Sequence, residues 1–198
     1  MENEFKSFNK IARLNRNMLV TEKIDGTNAQ IFITDDGQFL TGSRNKWITP
    51  EDDNFGFSRW AHENKTELLK LGPGRHFGEW WGLGIQRGYG LQEKRFSLFN
   101  VMRWHAPGGN PTVFPTDNPK VTKETVEAPA CCGVVPILHF GKFSQLEIDW
   151  QIRNLSSNGS VAAPGFANPE GVVVLHLASN TLFKVTLEGD EAPKSKVK

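Results

Sequence analysis

The sequence predicts an α+β domain of mainly antiparallel sheets with flanking helices. Three observations lead there. Apolar, strand-like runs cluster towards both ends, at residues 18–24 and 27–34 and again at 170–177 and 181–187. Short turns join them in pairs (Asp25-Gly26, Asp35-Asp36-Gly37, Ala178-Ser179-Asn180), which is hairpin spacing rather than the longer crossover of parallel strands. The helical periodicities fall between the two strand clusters.

Taken in order, residues 5–14 carry Phe5, Phe8, Ile11, Ala12 and Leu14 at the spacing of a short amphipathic helix. Strands are expected at 18–24, 27–34 and 39–42, and Ser43-Arg44-Asn45-Lys46 then places two cations after the third. Phe57, Trp60, Ala61, Leu68 and Leu69 form a helical stripe, stopped by Gly72-Pro73-Gly74. Residues 75–81 read as a strand with Glu79 among aromatics, and 95–102 as another, with a glycine-rich stretch holding Arg87 and Tyr89 between them. Residues 106–130 are rich in Pro, Thr and Gly and read as a long loop. A buried strand is expected at 134–140. Ser144 stands three residues before Glu147, a capping box, and Leu146, Trp150 and Leu155 carry that helix to Asn158-Gly159. Residues 188–198 are polar and expected to fray, so the domain is taken as 1–187 and the tail as 188–198.

The composition excludes several classes. The chain has 198 residues, 23 Lys+Arg and 22 Asp+Glu, a formal net charge of +1. It is no basic coat protein, and a polyanion site must come from local clustering. Six Trp and fourteen Phe can fill a core and leave some for stacking on bases. The two cysteines, Cys131 and Cys132, are adjacent and have no C-x-x-C spacing, as expected of a reduced, cytoplasmic chain. Residues 1–10 lack the apolar core of a signal peptide, and no apolar run is long enough for a membrane span. The five histidines show no metal spacing, and no P-loop sequence is present.

The candidate chemistry centres on Thr21-Glu22-Lys23-Ile24-Asp25-Gly26-Thr27-Asn28. A lysine at a strand end, partly desolvated, can serve as a nucleophile. The same residues also suit an ordinary Asp-Gly hairpin with a solvated lysine. Gly26 lets the backbone approach a bulky ligand, with Asp25 and Asn28 as nearby polar groups. Glu79, a carboxylate between Gly78 and two tryptophans, needs a partner. Lys184, within Leu182-Phe183-Lys184-Val185, reads as a buried lysine in need of an anion. Arg87 and Tyr89 in the glycine-rich stretch are candidates to grip a nucleic-acid backbone.

Five features stand in order: Lys23-Ile24-Asp25-Gly26, Ser43-Arg44, Phe77-Gly78-Glu79-Trp80-Trp81-Gly82, Glu170-Gly171-Val172-Val173-Val174 and Leu182-Phe183-Lys184-Val185-Thr186. Together they resemble the covalent nucleotidyltransferase superfamily of ATP-dependent RNA ligases, DNA ligases and mRNA capping enzymes, and the Glu22–Asn28 run resembles the RNA ligase branch most. The resemblance covers residues 19–187. It implies an adenylyltransferase (ATP-grasp-like ligase) domain and an ATP-dependent RNA ligase that joins 5′-phosphate and 3′-hydroxyl ends through a lysyl-AMP intermediate. By the same resemblance, Lys23 takes the AMP. Glu22 and Ile24 border adenine through their backbone, Arg44 contacts ribose or a substrate phosphate, and Glu79 holds the ribose hydroxyls. Phe99 stacks on the purine, with Phe96 as its competitor. Glu170 binds the metal, and Lys184 neutralises the α-phosphate. ATP and Mg²⁺ or Mn²⁺ are the implied cofactors.

Two positions depart from the family pattern. Thr186 stands where a second lysine is common, and Asp25 stands where duplex-repairing RNA ligases often carry histidine and DNA ligases aspartate. An ATP-dependent DNA nick ligase and a nucleotide-binding module without turnover are therefore the alternatives. The expected partner is a polynucleotide, RNA or possibly DNA, as a nicked or splinted duplex, bound by a monomer with no membrane involved. No C-terminal OB domain is expected, since few residues follow Lys184; Lys194, Lys196 and Lys198, with Arg44 and Arg87, are left to grip the substrate.

Overall fold

The computed structural model describes residues 5–115 and 121–189. The elements run β1 (Asn17–Lys23), β2 (Thr27–Ile33), β3 (Phe39–Ser43), β4 (Trp47–Ile48), α1 (Phe57–Glu63), α2 (Lys65–Leu68), a 3₁₀ turn (Leu69–Leu71), β5 (Gly74–Gly82) and β6 (Lys94–Leu98). Then come β7 (Trp104–His105), β8 (Val113–Pro115), β9 (Thr122–Glu124), β10 (Val126–Glu127), β11 (Gly133–Val134), β12 (Ile137–Lys142), α3 (Gln145–Asn158), β13 (Gly171–His176) and β14 (Thr181–Thr186). Two sheets dominate. A four-stranded sheet has the order β12-β1-β13-β14, and a six-stranded one β11-β6-β5-β2-β3-β4. Every pairing in them is antiparallel except β11 with β6.

Strand alternation sorts the side chains into layers. From the larger sheet, Ala29, Ile31, Ile33, Trp80, Phe96 and Leu98 point to one side and pack on Phe57, Ala61 and Leu68 of α1 and α2. From the smaller sheet, Met18, Val20, Val172 and Val174 pack on Ile148 and Leu155 of α3. Between the sheets lie Leu19, Ile24, Trp81, Tyr89, Val101 and Phe114. The order is helix, sheet, cleft, sheet, helix, and the cleft side of each sheet is where polar residues can meet a ligand.

The local signals explain most boundaries. Ser144 Oγ accepts the Glu147 N–H at 3.3 Å, the expected N-cap of α3, and Gly159 with φ 82° ends the helix. The first helical stripe is broken at Asn64, whose Nδ2 donates to the Trp60 carbonyl at 2.9 Å, and ends at Gly72 with φ 76°. Three expectations change. Residues 5–14 form no helix: Phe5, Phe8, Ile11 and Leu14 are all strongly exposed, and a helix so short is marginal in water without a surface to pack on. Residues 134–140 are not one buried strand. The chain leaves the larger sheet after Val134, passes Val135-Pro136, and joins the edge of the smaller sheet as β12. Residues 106–130 hold short strands rather than a bare loop, and among the described residues they build no barrel. The tail from 190 onward, with Lys194, Lys196 and Lys198, lies outside the described residues, as do residues 1–4. No helix among the described residues is long and apolar enough to cross a membrane.

The layering predicts that Leu155→Ala, at a position with no exposure, costs about 2–5 kcal/mol in urea unfolding. Ile11→Ala, on the exposed segment, should stay within about 0.5 kcal/mol. Equal costs would place residue 11 in a core.

Candidate active site

The chain crosses from one sheet to the other between Lys23, the end of β1, and Thr27, the start of β2. Gly26 makes that crossing possible. A Cβ there would lie 2.5 Å from the Trp80 carbonyl oxygen and 2.7 Å from the Trp81 Cβ. The close approach is thus to the backbone of β5, not to a ligand, which corrects the expectation for Gly26. The Gly26 N–H donates to Glu79 Oε1 at 3.1 Å, and Asn28 Nδ2 donates to Glu79 Oε2 at 3.0 Å. Glu79 lies opposite Asn28 in the β2–β5 ladder.

Lys23 points into the cleft. Its Nζ donates to Glu170 Oε2 at 2.5 Å, with the lysine side chain 23% exposed and the glutamate 1%. The ladder explains the meeting: Lys23 pairs with Gly171, so Glu170 arrives at the lysine as the chain enters β13. This is no solvated hairpin lysine. It is a partly buried ammonium held on a buried carboxylate 147 residues away in sequence.

Glu22, next to Lys23, points to the opposite face. It accepts Ser160 Oγ at 2.5 Å and the Val161 and Ala162 N–H groups, each at 2.8 Å. Its side chain therefore anchors the loop after α3, and only its backbone borders the cleft. Ile24 is buried between the sheets. Asp25 accepts Arg87 Nε at 3.0 Å, while its own N–H donates to Tyr89 Oη at 2.8 Å. Arg87 also donates to the Asn168 carbonyl at 3.1 Å, and Tyr89 is buried. The glycine-rich stretch is thus a clamp on the crossing, and the expectation that Arg87 and Tyr89 grip nucleic acid does not hold. The same contacts account for aspartate at position 25: it is the partner of Arg87.

The remaining predicted residues separate clearly. Phe96 is fully buried on the helix side of its sheet, whereas Phe99 is 40% exposed and lies on the Glu79 side, so Phe99 is the ring available to the cleft. It lines a cavity of about 470 Å³ together with Arg75, Phe77 and Arg103 on the larger sheet's side and Leu19, Leu175 and Leu182 from the smaller sheet, within the size range of small-molecule sites. Lys23 lies four residues along β1 from Leu19, and neither it nor Glu79 nor Glu170 lines this cavity. Lys184 pairs across from Val173 and Thr186 across from Gly171. By alternation both share the face of Lys23, but Lys184 is exposed. The expectation of a buried lysine is corrected: β14 is an edge strand, so one flank of it meets solvent. Arg44 is exposed in the turn after β3. Because Ser43 pairs with Ala29, Arg44 falls level with Asn28 and Glu79. Sequence reasoning left Asn28 and Ser160 without roles as carboxylate partners. Asn28 was within reach of inference from its place beside Lys23, but nothing in the local pattern ties Ser160 to a residue 138 positions earlier.

The chain matches the RNA ligase family model over residues 16–186. It belongs to the RNA ligase family. No curated protein matches by sequence. Among solved structures, three forms of a Naegleria gruberi RNA ligase share the fold. A glutamate-to-alanine variant with ATP and Mn matches at TM-score 0.59 and 19% identity, over 88% of this chain and 51% of that one. A lysine-to-alanine variant with ATP and Mn matches at 0.57 and 19%, over 87% and 49%. A lysine-to-methionine variant with AMP and Mn matches at 0.56 and 21%, over 87% and 50%. This RNA ligase family chain therefore spans about half the length of the solved structures it resembles.

Burial pushes the Glu79 carboxyl up to about 7, opposed by Lys23 and by the donors Asn28 and Gly26; burial also raises Glu22. A carboxyl raised on folding contributes stability that is complete below its unfolded value and is lost as pH rises through the folded value. The ligand-free protein should therefore lose a few kcal/mol between about pH 4.5 and pH 8, and Glu79→Gln should flatten that slope. Urea midpoints across pH measure it. An unchanged slope in Glu79→Gln would show that Glu79 is not the titrating group; Glu22, also raised, leaves a slope of the same sign.

Proposed function

We propose that the chain is the nucleotidyltransferase domain of an ATP-dependent RNA ligase. The observation that carries the reading is the ion pair of Lys23 Nζ and Glu170 Oε2 at 2.5 Å, in the same cleft as Glu79. In this reading Lys23 attacks the α-phosphorus of ATP. An N–P bond forms, the bond to pyrophosphate breaks, and pyrophosphate leaves. The amine must be neutral to attack, and Glu170 is the group placed to take its proton. AMP then passes to a 5′-phosphate end, and a 3′-hydroxyl displaces it. All three are in-line displacements at phosphorus, where positioning and charge neutralisation dominate.

The surroundings support a nucleotide. Each carboxylate oxygen of Glu79 already accepts one protein donor and has capacity for another, which suits ribose hydroxyls. Phe99 offers its face to the purine, and Val173 lies on the facing sheet. Lys184 and Arg44 are exposed cations placed for phosphates, and Thr186 adds a hydroxyl where a second lysine is common. The residues present fit Mg²⁺ or Mn²⁺ arriving with ATP. Among the described residues no group of three His, Cys, Asp or Glu forms a metal site, so Glu170 would hold the ion with the remaining ligands drawn from phosphates and water. When bound, the ion supplies charge neutralisation at the phosphates. The related Naegleria gruberi structures with ATP and Mn are in keeping with this pairing.

Few cations flank the cleft, so affinity for a bare strand should depend steeply on salt. A nicked or splinted duplex, which holds both ends together, is the better substrate in this reading. We take the chain as a cytoplasmic monomer; its free cysteines are in keeping with a reducing compartment. The departure that favoured a DNA nick ligase, Asp25, has its own explanation in Arg87, so RNA remains the substrate.

With ATP labelled on the α-phosphate, the wild-type chain should retain an acid-labile AMP adduct after denaturation. Lys23→Ala should abolish it. Glu170→Gln should slow its formation by roughly 10²–10³-fold, and Lys184→Ala by less, because that ammonium is exposed. A chain that binds ATP yet never becomes labelled would be a binding module. On matched nicks, faster sealing of an all-DNA substrate would overturn the RNA assignment.

A further inference from the structure

The solvent face of an antiparallel sheet is ordinarily polar. On the larger sheet it is not. The side chains that share the Glu79 face follow from the register: Phe77 opposite Gln30, Gln30 opposite Gly42, and Gly42 opposite Trp47. In the next row Arg75 lies opposite Phe32, and Phe32 opposite Leu40. Phe77 is 51% exposed and Trp47 46%. The Phe32 and Trp47 rings stack at 6.1 Å with 23° between planes. The Arg75 guanidinium sits 4.2 Å from the Phe32 centroid and 5.3 Å from that of Trp47, and its Nη1 donates to Gln30 Oε1 at 3.2 Å. Gly42 keeps the middle low: a Cβ there would meet Gln30 Cγ at 2.8 Å.

The result is a shelf that starts beside the Glu79 rung and runs across β5, β2, β3 and β4. Three strand spacings separate Phe77 from Trp47, roughly 14 Å. Stacked bases repeat at about 3.4 Å, so several nucleotides fit. Exposed rings interleaved with an arginine are the chemistry of single-strand recognition, since every base has a face to stack and a phosphate to neutralise. Arg44, in the turn joining β3 to β4, adds a second cation at the rim. Asp36, in the turn at the far end of β2, is engaged by Thr34 and Gln38 rather than by the shelf.

We infer that this shelf, built on Phe32, Trp47, Arg75 and Phe77, is a docking track for a single-stranded stretch of RNA leading to the nucleotide cleft. It rests on the ligase reading for its purpose, but not for its test. Phe77 and Arg75 also line the cavity beside Phe99, but Phe32 and Trp47 do not, so at those two residues RNA affinity and self-adenylylation should separate.

The experiment measures binding of a fluorescent, 5′-phosphorylated single-stranded RNA oligonucleotide to the full chain by anisotropy, alongside labelling from α-phosphate-labelled ATP. Trp47→Ala and Phe32→Ala should each weaken RNA binding roughly five- to a hundredfold, with labelling within twofold of wild type. Trp47→Phe, which keeps a ring, should restore most of the affinity and guards against a folding defect. RNA affinity within twofold of wild type in both alanine variants would overturn the track while leaving the ligase reading intact. A wild-type chain that never labels would sink the ligase reading and leave the anisotropy result to decide the track.

Discussion

Much of the structure depends on the buried carboxylates that bracket one sheet crossing. Glu22 lies behind it, Glu79 beneath it and Glu170 in front, each with at most 7% exposure. Burying a carboxylate is costly unless donors compensate it. The donors come from far apart in sequence: the loop after α3 for Glu22, the β1–β2 crossing for Glu79, and Lys23 for Glu170. Satisfying all three at once fixes where β1, β5, β13 and the 160–162 loop sit relative to one another. The geometry of the cleft is a by-product of that satisfaction.

The same logic shows what was legible in the sequence. β1, β2, β5 and α3 announce themselves through alternation, an Asp-Gly turn and a capping box, because those signals are local. Lys23 and Glu170 could be singled out by pattern, and their contact follows only once β1 and β13 are known to pair. Lys184 misled for a definite reason. Its apolar neighbours suggested burial, but apolar residues on an edge strand meet solvent on one flank. Residues 5–14 misled in the opposite way: periodicity proposed a helix where no surface exists to receive it. Arg87 looked like a free cation because nothing in a glycine-rich stretch reveals that Asp25 lies within reach.

The two faces of the larger sheet divide the labour. One buries Phe57, Trp80 and Phe96 in a close aromatic group, with Phe57 and Phe96 centroids 5.1 Å apart, and this supplies rigidity. The other carries Glu79, Phe77 and Phe99 at or near the cleft. Adjacent residues on a strand therefore have unrelated duties: Trp80 holds the sheet to its helices, while Glu79 beside it stays available for chemistry. Ring contacts of this kind add stability beyond simple area burial, which suits a sheet with one face left open.

Among the described residues the chain passes between the sheets twice, at residues 23–27 and again at Val135-Pro136, and the Glu22 N–H donates to the Pro136 carbonyl at 3.0 Å. The two passages are thus stitched into a single seam. Sheets joined at one seam cannot slide freely past each other, nor separate in parallel. Whatever freedom they have is that of a book about its spine, and Lys23 sits at the spine. Opening would widen the gap most at the rim and least at Lys23. A bulky guest would be accommodated towards the rim, while the spacing at Lys23 would stay nearly constant.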